Sequence, residues 1–200
     1  MPHILSLYAR GPTWQVLFWT SYAVWIGSEV FILLRDRRAA TGEAEDRGSR
    51  RFIFATYAVG LVAGFTCANR LAWGRIGFDP RVVFGAGLAT MWAGMALRWW
   101  AVATLGRFFR TSVQVLDDHT LVTTGPYARL RNPAYTGSVL TLVGLGVALG
   151  SWPGLALVVL IPLVGFVRRI AVEEAALQRR FGPAFDAYRR GRWALIPLVW

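Results

Sequence analysis

Residues 106–135, GRFFRTSVQVLDDHTLVTTGPYARLRNPAY, form the longest polar break between the apolar runs of this 200-residue sequence. The break joins two segments whose composition indicates helices embedded in a membrane. Gly125-Pro126 and Asn132-Pro133 mark turns within it, because proline fixes φ and lacks an N–H while glycine accepts unusual dihedrals. Loops of this length that are not low in complexity are typically functional. We therefore expect this loop to carry the chemistry and to divide the chain into two sets of membrane helices.

The overall composition is that of a membrane protein. Hydrophobic residues make up 55% of the chain, charged residues only 16%, and the mean hydropathy is +0.42. The net charge of +11 comes from arginines that flank the apolar runs, so we predict orientation in a bilayer and no nucleic-acid partner. Cys67, the only cysteine, excludes an internal disulfide and a metal site of several cysteines, and we predict no metal.

Upstream of the loop, residues 1–105 predict three transmembrane helices, since about 20 apolar residues cross the hydrocarbon core of a bilayer. The predicted helices cover residues 11–34, 52–68 and 82–105, with a charged, mobile loop at 35–51 and a short polar connection at 69–81. Glu29 either snorkels or pairs with an arginine, or it lines a polar cavity; Arg98 either snorkels or faces an internal cavity. Gly60 and Gly64 form a GxxxG pair that favours packing within the bundle over a dimer contact.

From the loop onward, residues 106–200 predict the polar loop, a transmembrane hairpin and a cytoplasmic helix, and we expect this region to carry the chemistry. Residues 133–167 carry no charge, which is too long for one span and suits two short ones that fold back at residues 151–154. A charged helix is expected at 170–180 and a break at 181–183, with helix resuming at 184–192. The apolar end, residues 193–200, lies in the interface or folds back on the bundle.

These segments predict an all-α polytopic membrane protein with about five transmembrane helices and a cytoplasmic C-terminal helical segment. With five spans, the first polar loop, the organising loop and the tail share one side and hold seventeen arginines, against four on the other side. The positive-inside rule therefore places loop and tail in the cytoplasm and the N-terminus outside. The sequence has no lysine, a coding bias that suggests a prokaryotic cytoplasmic membrane.

Arg169 and Glu173 lie four residues apart, so they share one helix face where the fifth span leaves the membrane. The simple interpretation is an exposed ion pair worth a few tenths of a kcal/mol. The alternative is a site, because the loop on the same side of the membrane holds His119, Tyr127 and Asn132. Such a site could bind a cationic cofactor through Glu173 and an anionic group through Arg169.

Three motifs give the sequence a family resemblance. HTLVTTGPY at residues 119–127, RNPAYTG at 131–137, and Glu173-Glu174 followed by Phe181-Gly182 occur in this order at the expected membrane boundaries. Together they resemble the isoprenylcysteine carboxyl methyltransferase family, which are integral-membrane enzymes that use S-adenosyl-L-methionine. The resemblance covers roughly residues 105–188.

The resemblance implies a set of site residues. Arg169 would hold the carboxylate of the acceptor. The implied contacts of the cofactor are Gln114, His119, Thr120, Leu121, Val122, Tyr127, Asn132, Pro133, Ala134, Tyr135 and Glu173. Two residues depart from the family pattern: Asn132 stands where histidine is usual, and Phe185 replaces a common tyrosine. The spacing between Gln114 and His119 is also shorter than in eukaryotic members.

The chemistry implied by the resemblance needs few catalytic groups. A carboxylate acceptor is already ionised at neutral pH, so methyl transfer from a sulfonium requires no general base. The protein must align acceptor, methyl and sulfur and exclude water. A lipophilic or prenylated acceptor would enter sideways from the bilayer, between helices surrounded by membrane lipids, and the tail would close over the cofactor. The oligomeric state stays open.

Three alternatives remain at this point. Membrane sterol reductases share a distantly similar C-terminal pattern but use NADPH, and so would need a site for a larger dinucleotide. Phospholipid amine methylation would ask for a base, because an amine must lose a proton. A structural or transport protein of five spans is the non-enzyme alternative, but the predicted spans contain no ionisable relay at mid-membrane.

Overall fold

The computed structural model describes residues 11–39, 48–109, 120–196 and 200, with the side chains of residues 37–39 excepted. The described ranges contain α-helices, short 3₁₀ turns and isolated β-bridges, but no β-strand. The six helices are α1 (Pro12–Ala39), α2 (Ser49–Arg70), α3 (Pro80–Leu105), α4 (Pro133–Ala148), α5 (Trp152–Phe181) and α6 (Pro183–Arg189). The predicted all-α class is confirmed.

Four of the described helices are long and apolar enough to cross a membrane, namely α1, α2, α3 and α5. The fourth helix, α4, is apolar but has only 16 residues. At about 1.5 Å per residue it spans about 24 Å, short of the roughly 30 Å hydrocarbon core. The five predicted apolar helices are therefore four full candidate spans and one shorter helix, and the chain is an integral membrane protein.

The predicted loop at 35–51 is too long at both ends. Helix α1 continues to Ala39 and α2 begins at Ser49, while residues 40–47 lie outside the described ranges. The connection predicted at 69–81 is also shorter, because α3 already begins at Pro80. Asp79 caps this helix: its carboxylate accepts hydrogen bonds from the backbone N–H groups of Arg81 and Val82. Hydropathy marks where a membrane ends, whereas charged residues can continue the hydrogen-bond ladder of a helix.

The charged helix predicted at 170–180 is not a separate element, because α5 runs without interruption through Arg168 and Arg169 to Phe181. Neither Gly nor Pro occurs between residues 166 and 181 to break it. The predicted break is confirmed at Gly182, whose positive φ of 50° ends the helix. The predicted hairpin turn is confirmed as well: Ser151 caps α5 by accepting from the N–H of Gly154.

The helices pack closely through glycines. A Cβ on Gly144 of α4 would lie 2.2 Å from the backbone nitrogen of Met91 on α3, so the two backbones touch. On the other side of the bundle, a Cβ on Gly60 or Gly64 would collide with α5. The GxxxG pair therefore packs within the bundle, as expected. Helix α1 instead uses large side chains, with Phe18 packed among the aromatic rings of α2 and α3.

The end of the chain folds back onto the bundle, which confirms one of the two predicted alternatives for residues 193–196. The N–H of Arg131 donates to the carbonyl of Trp193 at 2.8 Å, and the Thr136 hydroxyl donates to the carbonyl of Leu195 at 2.6 Å. Leu195 is fully buried. The tail thus covers the turn that leads into α4; residues 197–199 lie outside the described ranges.

Candidate functional site

A cavity of about 410 Å³ lies among the membrane helices and reaches the turn that precedes α4. Its wall in α1 and α2 is mainly apolar, and polar side chains gather at the end near α4 and α5. The polar lining residues on that side are Arg98, Tyr127, Arg131, Asn132, Tyr135, Ser138, Arg169 and Glu173, and the larger apolar ones are Trp25, Ile26, Val30, Leu33, Ile53, Phe54, Leu61 and Phe166. Such a space suits a lipophilic molecule with a polar head.

Arg169 and Glu173 form the centre of the polar end. The Nε of Arg169 donates to Glu173 Oε1 at 2.7 Å, and Nη1 donates to the Ser49 hydroxyl at 2.8 Å. Tyr135 adds its hydroxyl, which donates to the same Glu173 oxygen at 2.7 Å. The Arg169 side chain is only 2% exposed. The interpretation of this pair as an exposed surface ion pair is therefore wrong: it is a buried network that links α5 to α2 and α4.

Glu29 and Arg98 form a second ion pair inside the cavity. Arg98 donates two parallel hydrogen bonds to the Glu29 carboxylate, from Nε at 2.5 Å and from Nη2 at 2.6 Å. Its Nη1 donates to the carbonyl of Ala134 at 3.2 Å. The pairing of Glu29 with an arginine is confirmed, and so is the cavity alternative for both residues, because each lines the large cavity. Sequence analysis did not place either residue in the site, although ionisable side chains inside predicted spans were the available signal.

A smaller cavity of about 60 Å³ adjoins the large one. It is lined by Leu121 and Val122 from the loop, by Glu174 on α5, and by Phe185 and Tyr188 of α6. The residues that line both cavities are Leu105, Tyr127, Arg131, Asn132 and Leu177. The two spaces are therefore neighbours, one facing the membrane helices and the other facing the tail.

Asn132 and Arg131 tie this junction to the tail. The Asn132 side-chain nitrogen donates to the carbonyl of Ala194 at 2.9 Å and to Glu174 Oε1 at 3.3 Å. Arg131 Nε lies 3.2 Å from the same carboxylate oxygen. The position where the family usually has histidine is thus filled by an amide that donates to both partners at once.

Two tyrosines at the junction stay neutral at physiological pH. Burial raises the pKa of Tyr127 well above its usual range, and the nearby side chains of Tyr188 and Glu173 add to the rise. Burial also raises the pKa of Tyr188, although Arg192 and Arg131 oppose it. Both rings therefore present hydroxyls and aromatic faces rather than charges.

The structure brings most of the predicted site residues to these two cavities. Tyr127 and Asn132 line both, Ala134, Tyr135, Arg169 and Glu173 line the large one, and Leu121 and Val122 line the small one. Two of the predicted residues line neither cavity: Thr120 is exposed next to Leu121, and Pro133 is buried as the first residue of α4. Gln114 and His119 lie outside the described residues. No group of three potential metal-ligating side chains occurs in the described part of the chain.

The sequence matches a known protein family over residues 82–184, the family described as phospholipid methyltransferase. Protein-S-isoprenylcysteine O-methyltransferase of Schizosaccharomyces pombe is 34% identical over 126 residues, which cover 62% of this chain and 53% of the relative. A probable protein-S-isoprenylcysteine O-methyltransferase of Oryza sativa subsp. japonica is 30% identical over 115 residues, which cover 56% of this chain and 60% of the relative.

A solved structure has a similar fold. It is that of a eukaryotic intramembrane methyltransferase, isoprenylcysteine carboxyl methyltransferase, with a TM-score of 0.59 and 26% identity over 73% of this chain and 52% of that one. The match thus spans between half and two thirds of the length of each of these three proteins. The family match over residues 82–184 contains nearly all of α3, the loop, α4 and the whole of α5.

Proposed function

The chain belongs to the phospholipid methyltransferase family, and from this membership we propose that it is a membrane methyltransferase that uses S-adenosyl-L-methionine to methylate a carboxylate on an isoprenylcysteine-like or other lipophilic acceptor. The resemblance to isoprenylcysteine carboxyl methyltransferases found in the sequence is confirmed by the relatives. The observation that carries the proposal is the junction of an apolar cavity among membrane helices with a polar pocket under the tail.

The residues of the small pocket fit the methyl donor chemically. S-adenosyl-L-methionine supplies a methyl carbon on a positively charged sulfur and also carries an ammonium group and an aromatic base. Glu174, which already contacts Arg131 and Asn132, offers a carboxylate to a cation, Asn132 offers its amide oxygen, and Tyr188 offers an aromatic face. Across the junction, Glu173 provides a second carboxylate. We propose that the loop residues predicted from the family motifs complete this pocket.

The proposed step exchanges one bond for another. An acceptor carboxylate oxygen forms a C–O bond to the methyl carbon while the C–S bond breaks and its electron pair stays on sulfur. The carboxylate becomes a neutral ester, and no proton moves. The task of the protein is therefore to align the reactants and to keep water away. The large cavity supports this task, because its walls are helices and its polar groups stand at one end.

The acceptor would place its apolar chain between α1 and α2 and its carboxylate at the polar end of the cavity. An arginine at the polar end of the cavity would balance the charge of the carboxylate, and the family motifs predict that this arginine is Arg169. Membrane lipids border the helices through which such an acceptor would enter sideways. A carboxylate acceptor is favoured over an amine because the relatives are O-methyltransferases of isoprenylcysteine. An amine would also require a base to remove its proton.

We further propose a cytoplasmic location for the site, in a prokaryotic cytoplasmic membrane. The support is the concentration of arginines in the organising loop, the first polar loop and the tail, together with the absence of lysine. The two cavities meet at that arginine-rich side of the bundle, where Arg131 and Arg192 pack around the junction.

The test is calorimetric titration of the detergent-purified protein with S-adenosylhomocysteine and, separately, with NADPH. We expect micromolar binding of S-adenosylhomocysteine, lost in Glu173→Ala and kept in Asp186→Ala, whose carboxylate is exposed on the same tail. Binding of NADPH alone would overturn the proposal in favour of a reductase. Binding of neither ligand would overturn it in favour of a membrane protein without this reaction.

A further inference from the structure

Arg192 lies in the tail, just after α6, and its side chain lines neither cavity. We propose that Arg192 is a positioning residue for the methyl donor: its guanidinium holds α6 against the loop, so that Tyr188 and Tyr127 form a fixed wall of the small cavity. This inference rests on the proposed function, because it takes the small cavity as the site of the donor. The family motifs found in the sequence do not include Arg192.

The chain turns back immediately after α6, and this turn brings Arg192 onto the end of the helix. Gly191 has a φ of 76°, in the left-handed region where residues with a Cβ are strained. Nη1 of Arg192 donates to the carbonyl of Tyr188 at 2.5 Å. That carbonyl belongs to the last turn of α6, where carbonyls lack partners within a helix and a cation is favourable. Capping of α6 therefore accounts for one bond of Arg192.

Capping does not account for the other contacts of Arg192. Its Nε donates to the carbonyl of Tyr127 at 3.1 Å, and Tyr127 lies in the loop, in the turn Gly125–Ala128. The guanidinium carbon also lies 4.6 Å from the centre of the Tyr188 ring, close enough for a cation–π contact. One side chain thus joins the loop to both the backbone and the ring of Tyr188.

The small cavity has walls from the loop, from α5 and from α6. The beginning of α6 is held by the chain itself, because only Gly182 separates it from α5. Phe185 stacks on the Tyr188 ring with the ring centroids 5.9 Å apart, but both residues belong to α6, so this contact does not connect the helix to the loop. Arg192 makes that connection at the other end of α6.

Loss of the Arg192 side chain would act on the small cavity and leave the large one in place. The described residues that line the large cavity include none from α6. Tyr127 lines both cavities, but it is buried and packs with Ala101 and Ala134, which belong to α3 and α4. The backbone of Trp193 also stays bonded to the loop, donating at 3.1 Å and accepting at 2.8 Å. We therefore expect variants of Arg192 to fold with one wall of the donor site less well fixed.

A fixed wall favours donor binding through order rather than through charge. A positive charge beside the cavity does not attract the cationic sulfonium of the donor. A wall that is already in place loses no conformational freedom when the donor binds, so the complex is more stable. The benefit of Arg192 therefore comes from the position of its hydrogen bonds.

The experiment compares three variants of the full chain in detergent. Arg192→Met removes both the charge and the N–H donors, whereas Arg192→Lys keeps the charge but loses the planar fork that reaches two carbonyls at once. Arg189→Met is the matched control, because it removes the same charge from the same tail, where Arg189 is about half exposed and pairs with Asp186. Calorimetry gives the Kd for S-adenosylhomocysteine. Initial rates give KM for S-adenosyl-L-methionine and for N-acetyl-S-farnesyl-L-cysteine.

We expect Arg192→Met to weaken the binding of S-adenosylhomocysteine by about tenfold, the size of one charge-assisted hydrogen bond, and Arg192→Lys to restore part of the affinity. KM for S-adenosyl-L-methionine should rise by a similar factor, while KM for the farnesyl cysteine keeps its wild-type value. Arg189→Met should keep all three values. A purely structural role for Arg192 would lower the melting temperature and leave the Kd unchanged.

The contrary results separate the inference from the proposed function. Unchanged or tighter binding of S-adenosylhomocysteine by Arg192→Met would overturn the inference alone. Equal weakening in Arg189→Met would also overturn it, because the effect would then come from charge and not from position. Equal rises of both KM values in Arg192→Met would overturn it as well, since the large cavity would then be disturbed too. Failure of wild type to bind S-adenosylhomocysteine would overturn the proposed function itself.

Discussion

The two buried arginine–glutamate pairs of this protein resemble each other in chemistry and differ in construction. Arg169 and Glu173 lie four residues apart on one helix, and Arg169 is enclosed by α2, α4 and α5. Arg98 and Glu29 are separated by 69 residues, join α3 to α1, and face the cavity. The local pair holds the motifs together, whereas the distant pair shapes the space that a lipophilic acceptor would occupy. The two arginines differ in burial, at 2% and 13% exposed, whereas the two glutamates are about equally exposed, at 23% and 24%. We therefore expect the larger effect on stability at the pair that contains Arg169.

Glu173→Ala should have the largest effect on stability. Removing this carboxylate leaves Arg169 buried without its main counter-charge, which costs about 3–5 kcal/mol. Asp186→Ala is the matched control, because its pair with Arg189 is about half exposed, and together with the hydrogen bond from Gln178 it should contribute no more than about 1–2 kcal/mol. Denaturant unfolding in detergent measures both changes. Equal losses in the two variants would remove the distinction between enclosed and exposed pairs.

Tyr135→Phe tests whether the enclosed pair depends on its third member. The variant loses the hydrogen bond from the Tyr135 hydroxyl to Glu173 and should lower the free energy of unfolding by about 1.5–3 kcal/mol. The ring itself stays packed against Phe166, so the apolar contacts are unchanged. The same unfolding experiment applies. A loss below about 0.5 kcal/mol would show that Glu173 is held by Arg169 alone.

Gly137→Ala tests how the distant pair is positioned. A Cβ at Gly137 would lie 2.6 Å from the backbone nitrogen of Arg98, so α3 and α4 would have to separate at the residue that binds Glu29. We expect a loss of about 1–3 kcal/mol, as for other overpacked sites. In Gly85→Ala the new Cβ meets nothing within 4 Å, and the variant should be neutral or slightly more stable. Similar stabilities for both variants would contradict the close approach of the two helices.

Asn132→His gives the smallest expected effect. The amide donates to both Ala194 and Glu174, and a histidine can reach only one of them in the same way. Asn132→Ala should cost about 0.5–1.5 kcal/mol, and Asn132→His less than that. Thermal unfolding of the two variants against wild type measures the difference. A histidine variant less stable than the alanine variant would contradict a hydrogen-bonding role for this side chain.

Much of the fold could be predicted because membrane helices have a simple signal. Hydropathy found the apolar helices, and Ser151 and Gly182 marked the turns at which helices begin and end. The extent of α5 could not be found in this way, because hydropathy falls at Arg168 while the helical hydrogen bonds continue to Phe181. The same reason explains why the loop at 35–51 was predicted too long.

For the site, one of the two ion pairs could be predicted from the sequence and the other could not. Arg169 and Glu173 could be paired from their spacing alone, since helix geometry fixes the neighbours of a residue four positions away. The partner of Glu29 could not be chosen from the sequence, because the arrangement of α1 against α3 depends on packing between distant segments. The burial of Arg169 was equally hidden, since it arises from Ser49 and Tyr135 on two other helices.

The most direct test of the account is transfer of a labelled methyl group from S-adenosyl-L-methionine to N-acetyl-S-farnesyl-L-cysteine by the purified protein in lipid vesicles. Alkali releases methanol from a methyl ester but does not remove a methyl group from an amine. We predict labelled product whose label alkali releases, absent when the farnesyl cysteine is replaced by its carboxamide. Alkali-stable label on a phospholipid amine, with none on the farnesyl cysteine, would contradict the carboxylate acceptor and the role of Arg169.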